Sequence, residues 1–500
     1  MVKKNLMANY IGQGWITVVG LVFIPLYIKY LGIEAYGVIG FYAVLRSSLM
    51  LFDMGVAPTL GREMAHFTSG AQTLQYVHNL IRSAEIIMLI VAIAIIIGMG
   101  GAASYLTHSW LSVETIPLET IQKIFMIMGF VIALGLIENI YRSSLLGLQK
   151  QVLFNIITSF VATLRSVGAV IVLMWISPTL GAFFIWQGIV SIISITLFVS
   201  SFYLTINFSG TRGNFSFSII QSVWKFAGGM IGITFLSLLL MQTDKILLSK
   251  LLSLSEYGYY TLAVAVAGGI SILLGPIGQA WFPRFNELYA SRDEKGFVRA
   301  YHQSSQLISV VVGSIAIVLI VFSKNVLHLW TQDSVLTSQT ASIMSLLVAG
   351  NLLNGLMWMP YQAQLAHGWT SLSIRINMIA VILIVPAILL VAPHYGALGA
   401  AWIWVGLNAG YVIIGVHFMY QKILINEKWQ WYLYDSALPI MTAALVAVLI
   451  AWLIPNNLNF IEEGAVLIIA FVLTLLSAIT VAPLIREQVW SYLVTQKKLL

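Results

Sequence analysis

The chain has 500 residues, of which 59% are hydrophobic and only 9% charged, with a mean hydropathy of +0.92. Soluble domains carry about 25% charged residues, so every soluble class is excluded. The formal charge of +7 therefore reads as membrane topology and not as nucleic-acid binding, and the absence of cysteine excludes disulfides and thiolate metal sites.

Fourteen apolar segments follow one another, at 8–31, 36–59, 84–106, 121–146, 153–176, 180–206, 223–249, 258–282, 303–324, 338–364, 373–392, 396–421, 433–454 and 463–484. Each has about the 20 residues of helix that a hydrocarbon core requires. The fold class expected is an all-α polytopic membrane protein. The first run follows Lys3 and Lys4, contains Asn9 and Gln13, and has no small-residue cleavage site, so it reads as a retained helix and not a signal peptide. Leu31-Gly32, Ser177-Pro178 and Tyr395-Gly396 supply turn chemistry between segments.

With the N-terminus placed in the cytoplasm, eighteen Lys and Arg fall in the even-numbered loops and the tails. Four, Lys29, Lys123, Lys250 and Lys324, fall on the opposite side. By the positive-inside rule both termini are expected in the cytoplasm. The longest connections, 61–83 and 284–302, lie on that side and leave no room for a catalytic domain. No nucleophile or acid–base cluster, phosphate loop or metal-ligand spacing of His is present, so neither an enzyme nor a cofactor is expected.

The chain repeats itself. A shift of 221 residues lays Lys29, Leu31, Tyr36 and Gly37 over Lys250, Leu252, Tyr257 and Gly258, and a shift of 220 lays Gly135, Leu136, Tyr141 and Leu145 over Gly355, Leu356, Tyr361 and Leu365. Six helices separate the copies, an even number, so the repeats run parallel about an axis along the membrane normal, an arrangement built for alternating access. The domains expected are an N-lobe at 1–222, a C-lobe at 223–421, and two extra helices with a tail at 422–500.

Six ionisable residues sit at depths where lipid contact is costly: Arg46, Asp53, Glu138, Arg165, Asp244 and Lys245. Arg46 and Asp53 share a stripe about 10 Å apart along the axis and do not simply pair. Glu138 and Arg142 have the i, i+4 spacing of a helix ion pair. Asp244 and Lys245 are adjacent, about 100° apart around the helix, so both cannot face one spot and one is expected to reach a neighbouring helix or the lumen. Lys29 and Lys250 mark the outer end, which places Asp244 and Lys245 about one turn inward as gate or coupling candidates. Arg46 and Arg165 have no acidic residue one turn away, and an arginine fork suits phosphate or carboxylate, so they are expected to line a water-filled cavity. The rival arrangement is a salt bridge to Asp53 or Glu138. None of Arg46, Asp53, Glu138 and Arg142 recurs one repeat later, where Ala267, Leu274, Trp358 and Gln362 stand. Gly228 with Gly232, and the run from Gly98 to Ala103, read as close-packing surfaces. Trp110, Trp330, Trp429 and Trp431 read as interfacial anchors.

The opening unit, with Pro25-Leu26, Leu31-Gly32, Tyr36-Gly37, Asp53, Gly55 and Arg62-Glu63, resembles the Wzx-type polysaccharide flippases of the multidrug/oligosaccharidyl-lipid/polysaccharide exporter superfamily. So do Glu138, Tyr141-Arg142 and Gly147 to Lys150, and Gln242 to Lys245 followed by Glu256 to Tyr260. The resemblance implies a bacterial inner-membrane flippase that moves an undecaprenyl-diphosphate-linked oligosaccharide, such as an O-antigen or capsule repeat unit, to the outer leaflet. It implies membrane lipids, a glycan polymerase and a chain-length regulator as partners. Arg46, Arg165 and Arg142 would take the diphosphate, and Asp53, Glu138 or Asp244 would couple to H⁺ or Na⁺. A multidrug extruder or lipid II flippase of the same superfamily is the alternative, followed by a glycan polymerase or ligase.

Overall fold

The computed structural model describes residues 2–53, 55–206, 213–455 and 458–497, with the side chains of 2–6, 220, 222–234, 237 and 492–497 outside that description. Gly228 and Gly232, expected to pack closely, therefore lie outside the described side chains. The chain forms two compact units, Met1–Gly258 and Tyr259–Leu500. The first holds α1 (Val2–Val22), α2 (Ile24–Leu31), α3 (Ile33–Leu49), α4 (Val56–Thr68), α5 (Leu74–Tyr105), α6 (Leu118–Gly147), α7 (Gln151–Trp175), α8 (Leu180–Thr205), α9 (Phe217–Leu251) and the start of α10 (Leu254–Ala290). The second holds the rest of α10, then α11 (Glu294–Val321), α12 (Ser323–Thr331), α13 (Ser334–Leu356), α14 (Trp358–Ala366) and α15 (Ser371–Gly410). It ends with α16 (Val416–Tyr420), α17 (Lys428–Gln430), α18 (Leu438–Leu453), α19 (Phe460–Val481) and α20 (Pro483–Lys497). Among the described residues the sole β-type pairing is an isolated bridge between Ser112 and Ser253.

Twelve helical stretches among the described residues are long and apolar enough to cross a membrane. One of them, Ser371–Tyr420, is two segments joined at a kink, because Gly396 has φ 57° and ψ −145°, a backbone that side chains other than glycine's resist. Dividing it there and adding the 35-residue α9 recovers the fourteen segments read from the sequence. The second segment is cut short, however. It spans Ile33–Asp53 and stops where Gly55 turns left-handed (φ 73°), after which α4 starts afresh.

The long polar connections also prove helical. Residues 61–83 are taken up mostly by α4 and α5, and 284–302 by α10 and α11, which leaves only 69–73 and 291–293 between helices. Asp293 caps α11 by accepting from Gly296 N, and Thr73 caps α5 by accepting from Tyr76 N, so the polar residues there are helix starts and not open loop.

Membrane solvation explains the side-chain pattern. On α5, Leu89, Ile90, Ile93 and Ile97 are exposed whereas Met88, Ala92, Ile95, Met99 and Ala103 are buried, so both faces are apolar. Lipid is as apolar as a protein core, and helices associate there by close packing rather than by the hydrophobic effect. The extra helices follow the same rule, with Ala443, Ala447, Ala470 and Ala478 fully buried around α11. The Gly98 to Ala103 run packs closely through Met99 and Ala103, since a Cβ on Gly129 would lie 2.7 Å from Met99 Cβ, whereas a Cβ at Gly98, Gly100 or Gly101 would meet nothing within 4 Å. Trp431 is no interfacial anchor, being 1% exposed against Tyr420 and Tyr432.

One contact within the first unit expresses the repeat directly. A Cβ on Gly37 would lie 2.3 Å from the Leu254 carbonyl oxygen, and a Cβ on Gly258 would lie 2.4 Å from the Ile33 carbonyl oxygen. The 221-residue shift carries Ile33 to Leu254 and Gly37 to Gly258. Each glycine therefore lets the other copy's backbone approach, a reciprocal contact of the kind that two-fold symmetry requires.

Candidate functional site

The expected site residues all lie in the first unit, and α3 sets their geometry. Arg46 occupies its last turn, followed by a 3₁₀ turn at Met50–Asp53. A cation there suits the negative end of the helix dipole. Asp53 is buried, and its Oδ2 accepts from Ala57 N at 3.0 Å, which satisfies an amide at the start of α4. Its other oxygen, Oδ1, is buried with the Asn139 side chain as the neighbouring donor to the carboxylate, and no cation pairs with Asp53 among the described residues. The Arg46 guanidinium has no ion-pair partner among them either.

Arg165 projects from α7 and is held by α8, donating through Nη1 to Gln187 Oε1 at 3.1 Å and through Nη2 to Ser191 Oγ at 3.3 Å. Both acceptors are neutral. Arg46, Tyr42, Glu138 and Arg142 lie within electrostatic range of it, but no carboxylate pairs with it among the described residues. The expected rival, a salt bridge from either arginine to Asp53 or Glu138, is thus not formed. Tyr42 stands one turn before Arg46 on α3, with its ring edge-on to Phe184 at 5.2 Å and its hydroxyl buried and unpartnered among the described residues. The sequence reading missed Tyr42, Gln187 and Ser191, whose only signal is helical spacing from an arginine or a neighbouring helix.

Glu138 and Arg142 do pair, Nη1 to Oε1 at 3.0 Å, with Glu138 buried. The Arg142 guanidinium also lies over the rings of Phe154 (5.1 Å) and Phe198 (5.3 Å). Its charge is accordingly engaged on three sides, whereas those of Arg46 and Arg165 are not.

Asp244 and Lys245 depart from expectation. Lys245 Nζ donates to both oxygens of Asp244 at 3.1 Å and to the Met241 carbonyl at 2.7 Å. Although the two Cα–Cβ bonds diverge, the four-carbon lysine stem is long enough to fold back over its own helix. At the end of α9, Lys250 stacks on Trp110 at 5.0 Å while Trp110 Nε1 donates to Ser249 Oγ at 3.0 Å, and Lys29 is exposed in the last turn of α2.

Three buried or half-buried acids in this unit escaped the sequence reading. Glu34 accepts from Glu114 N at 2.6 Å and from Thr115 N and Oγ1, Glu63 pairs with Arg62 at 2.7 Å, and Glu85 accepts from the Tyr141 hydroxyl and pairs with Arg82 at 2.9 Å. All lie at segment ends, where a charge costs little by sequence criteria alone.

Comparison with known proteins completes the picture. A Shigella flexneri protein that carries the provisional name O-antigen transporter is 22% identical over 402 residues, 80% of this chain and 93% of its own. Among solved structures, an inward-facing multidrug resistance MATE family transporter of the MOP superfamily superposes with a TM-score of 0.66 at 15% identity, covering 83% of this chain and 96% of that one. The lipid II flippase MurJ in an inward closed conformation also gives 0.66, at 13% identity, over 94% of this chain and 97% of that one. The fold is therefore that of the MOP superfamily transporters, in a multi-pass membrane protein. The family profile described as polysaccharide biosynthesis protein matches residues 2–289, more than half of the sequence, and the chain belongs to that family.

Proposed function

We propose that this protein is a flippase that carries undecaprenyl-diphosphate-linked oligosaccharide repeat units from the cytoplasmic to the outer leaflet of the bacterial inner membrane by alternating access. The observation that carries the reading is the pair Arg46 and Arg165, two cations inside an apolar helical unit without a carboxylate partner among the described residues, beside the unpartnered hydroxyl of Tyr42. Cations left unpaired at that depth are costly unless a ligand or water meets them. A diphosphate offers the planar, multivalent acceptor that guanidinium forks match, and the lipid tail need not leave the bilayer. A carrier of cationic drugs would need the opposite charge there.

Arg46 and Arg165 take the diphosphate, with Arg142 fixed beside them by Glu138. Asp53, a buried carboxylate without an ion-pair partner among the described residues, is the best placed of the coupling candidates for H⁺ or Na⁺. Asp244 and Lys245 gate the path from α9. The termini and the ends of the helices rich in Arg and Lys face the cytoplasm. The test is a deletion strain assayed for lipid-linked repeat units: they should accumulate in the inner leaflet, and an unchanged distribution would overturn the reading.

A further inference from the structure

The second unit contains an ionisable cluster that the transport reading leaves unused. His302, near the start of α11, is buried, and each ring nitrogen faces a carboxylate: Nδ1 lies against Asp435 Oδ2, and Nε2 is 3.0 Å from Glu427 Oε2. Asp435 is fully buried at 0% exposure, in the π-helical turn Trp431–Ala437 that joins α17 to α18, and such wide turns occur often at functional sites. Its Oδ1 accepts from Gln306 Nε2 at 2.9 Å, and Gln306 Oε1 accepts from Leu484 N of α20 at 3.0 Å. The turn before α18 thus meets α11 at this carboxylate, and Gln306 ties α20 to it.

These hydrogen bonds constrain the protons. A neutral imidazole has one N–H and one lone pair, an imidazolium two N–H groups and none. With both nitrogens against carboxyl oxygens, either the ring is an imidazolium donating twice, or it is neutral and one carboxyl is protonated and donates to it. Both arrangements place two protons on three groups. They interconvert by transfer: the O–H bond of Glu427 breaks as an Nε2–H bond forms, and the Nδ1–H bond breaks as an O–H bond forms on Asp435. The net movement is one proton from Glu427 to Asp435, and the ring changes only its tautomer. The two carboxylates lie on different edges of the ring, so they do not converge on a single metal ion.

One end of this chain of groups opens onto a cavity. Glu427 lines this cavity, of about 510 Å³, together with Arg292, Asp293, His367, Lys422 and Asn426. Arg292 and Lys422 are the cations that share the cavity with Glu427, and Lys422 stacks on Trp369 at 4.5 Å. Lys428 donates to His417 Nδ1 at 2.8 Å and stacks on Trp429 and Tyr432, and the Tyr301 and Tyr420 hydroxyls bond each other at 2.7 Å. The Tyr432 hydroxyl donates to the Val412 carbonyl, Arg486 donates to the Thr480 carbonyl, and Arg299 meets Glu487 at 3.7 Å. On α10 and α11, Arg284 pairs with Glu287, and Glu294 follows the cap Asp293.

We propose that Glu427, His302 and Asp435 form a proton-binding relay, which takes a proton from the cavity and holds it on Asp435 within the second unit. The relay rests on the flippase reading only in that flipping should then depend on pH. The test uses the full chain in lipid nanodiscs, read by infrared difference spectroscopy between acidic and alkaline buffer. The wild type should show a protonated-carboxyl band and imidazole bands, both lost in Asp435→Asn, which keeps hydrogen-bonding partners for a neutral His302 and for Gln306. Glu427→Gln, at the half-exposed end, should lose the imidazole change, and this second variant decides the matter where Asp435→Asn fails to fold. In vesicles, flipping of the lipid-linked repeat unit should lose, in both variants, the part of its pH dependence that persists in Asp53→Asn. Retention of the carboxyl band in Asp435→Asn, or of the wild-type imidazole change in Glu427→Gln, would overturn the relay. Wild-type protein that shows the bands but moves no lipid-linked sugar would support the relay and overturn the flippase.

Discussion

Replacing Arg165 by alanine should stop glycan export while leaving the protein folded. In the folded unit Arg165 donates two hydrogen bonds to neutral acceptors, at 3.1 and 3.3 Å, and stands within the field of Arg46. Each bond contributes about 1–2 kcal/mol, and removing the guanidinium also relieves like-charge repulsion, so the net loss of stability should stay below about 3 kcal/mol. The functional loss is larger in effect. A forked, charge-assisted contact to a phosphate is worth about 2–3 kcal/mol, which at about 1.4 kcal/mol per tenfold is roughly 30- to 150-fold in substrate affinity. Arg165→Lys keeps the charge but not the fork and should fall between the two. The assay is complementation of the deletion strain, with surface glycan measured against membrane-inserted protein and thermal stability followed in detergent. Wild-type glycan display by Arg165→Ala at normal expression would refute the reasoning.

Arg46→Ala should behave as Arg165→Ala does, and additive partial defects in the double variant, instead of one shared loss, would show that the two do not act on one ligand. Arg142→Met should lower thermal stability by about 1–3 kcal/mol, because it strands the buried Glu138, and pairing it with Glu138→Gln should recover most of that loss. Gly258→Val places a side chain where a Cβ already falls 2.4 Å from the Ile33 carbonyl, so the yield of folded protein in membranes should drop sharply, whereas Gly32→Ala meets no neighbouring atom and suffers only through its positive φ. Lys250→Gln removes a cation–π contact with Trp110 at a helix end and should cost no more than about 1 kcal/mol, read as a small shift in thermal unfolding.

Segment number and the duplication were legible because the bilayer imposes a length and a direction on every helix, and the pairing of Glu138 with Arg142 because i, i+4 spacing fixes a contact on one helix. Which face of each helix turns inward was not. On α5 the buried Met88, Ala92, Ile95 and Met99 are no more apolar than the exposed Ile90 and Ile97, so polarity does not select the packed face, which is fixed by the shape of a partner helix that the sequence does not name. Glu85 and Asp435 lie next to segment ends, where sequence depth singles out no charge, yet Glu85 receives the Tyr141 hydroxyl and Asp435 is fully buried. Reasoning from Cα–Cβ directions alone separated Asp244 from Lys245; the reach of the lysine stem brought them together.

The duplicated positions explain why charge and its absence divide between the units. Where Arg46 and Asp53 stand in the first unit, the second has Ala267 and Leu274, and these are packed: the Ala267 carbonyl accepts from Asn351 Nδ2 at 2.8 Å, and Leu274 lies against Gly355. Asn351 Oδ1 accepts from Trp404 Nε1 at 2.8 Å, and Asn354 donates to Asn408 at 2.9 Å, so that core is joined by neutral amides whose donors and acceptors satisfy one another. A neutral, satisfied network gives an anion nothing to hold, whereas the unpaired guanidinium groups of the first unit do. Asp435, the most deeply buried carboxylate described in the second unit, comes, as Glu427 does, from the chain beyond the duplicated helices and meets a histidine on a duplicated one. The titratable cluster of the second unit therefore occupies positions with no counterpart among Arg46, Asp53, Glu138 and Arg142, and its protons and the unpaired guanidinium groups of the first unit are set by different residues.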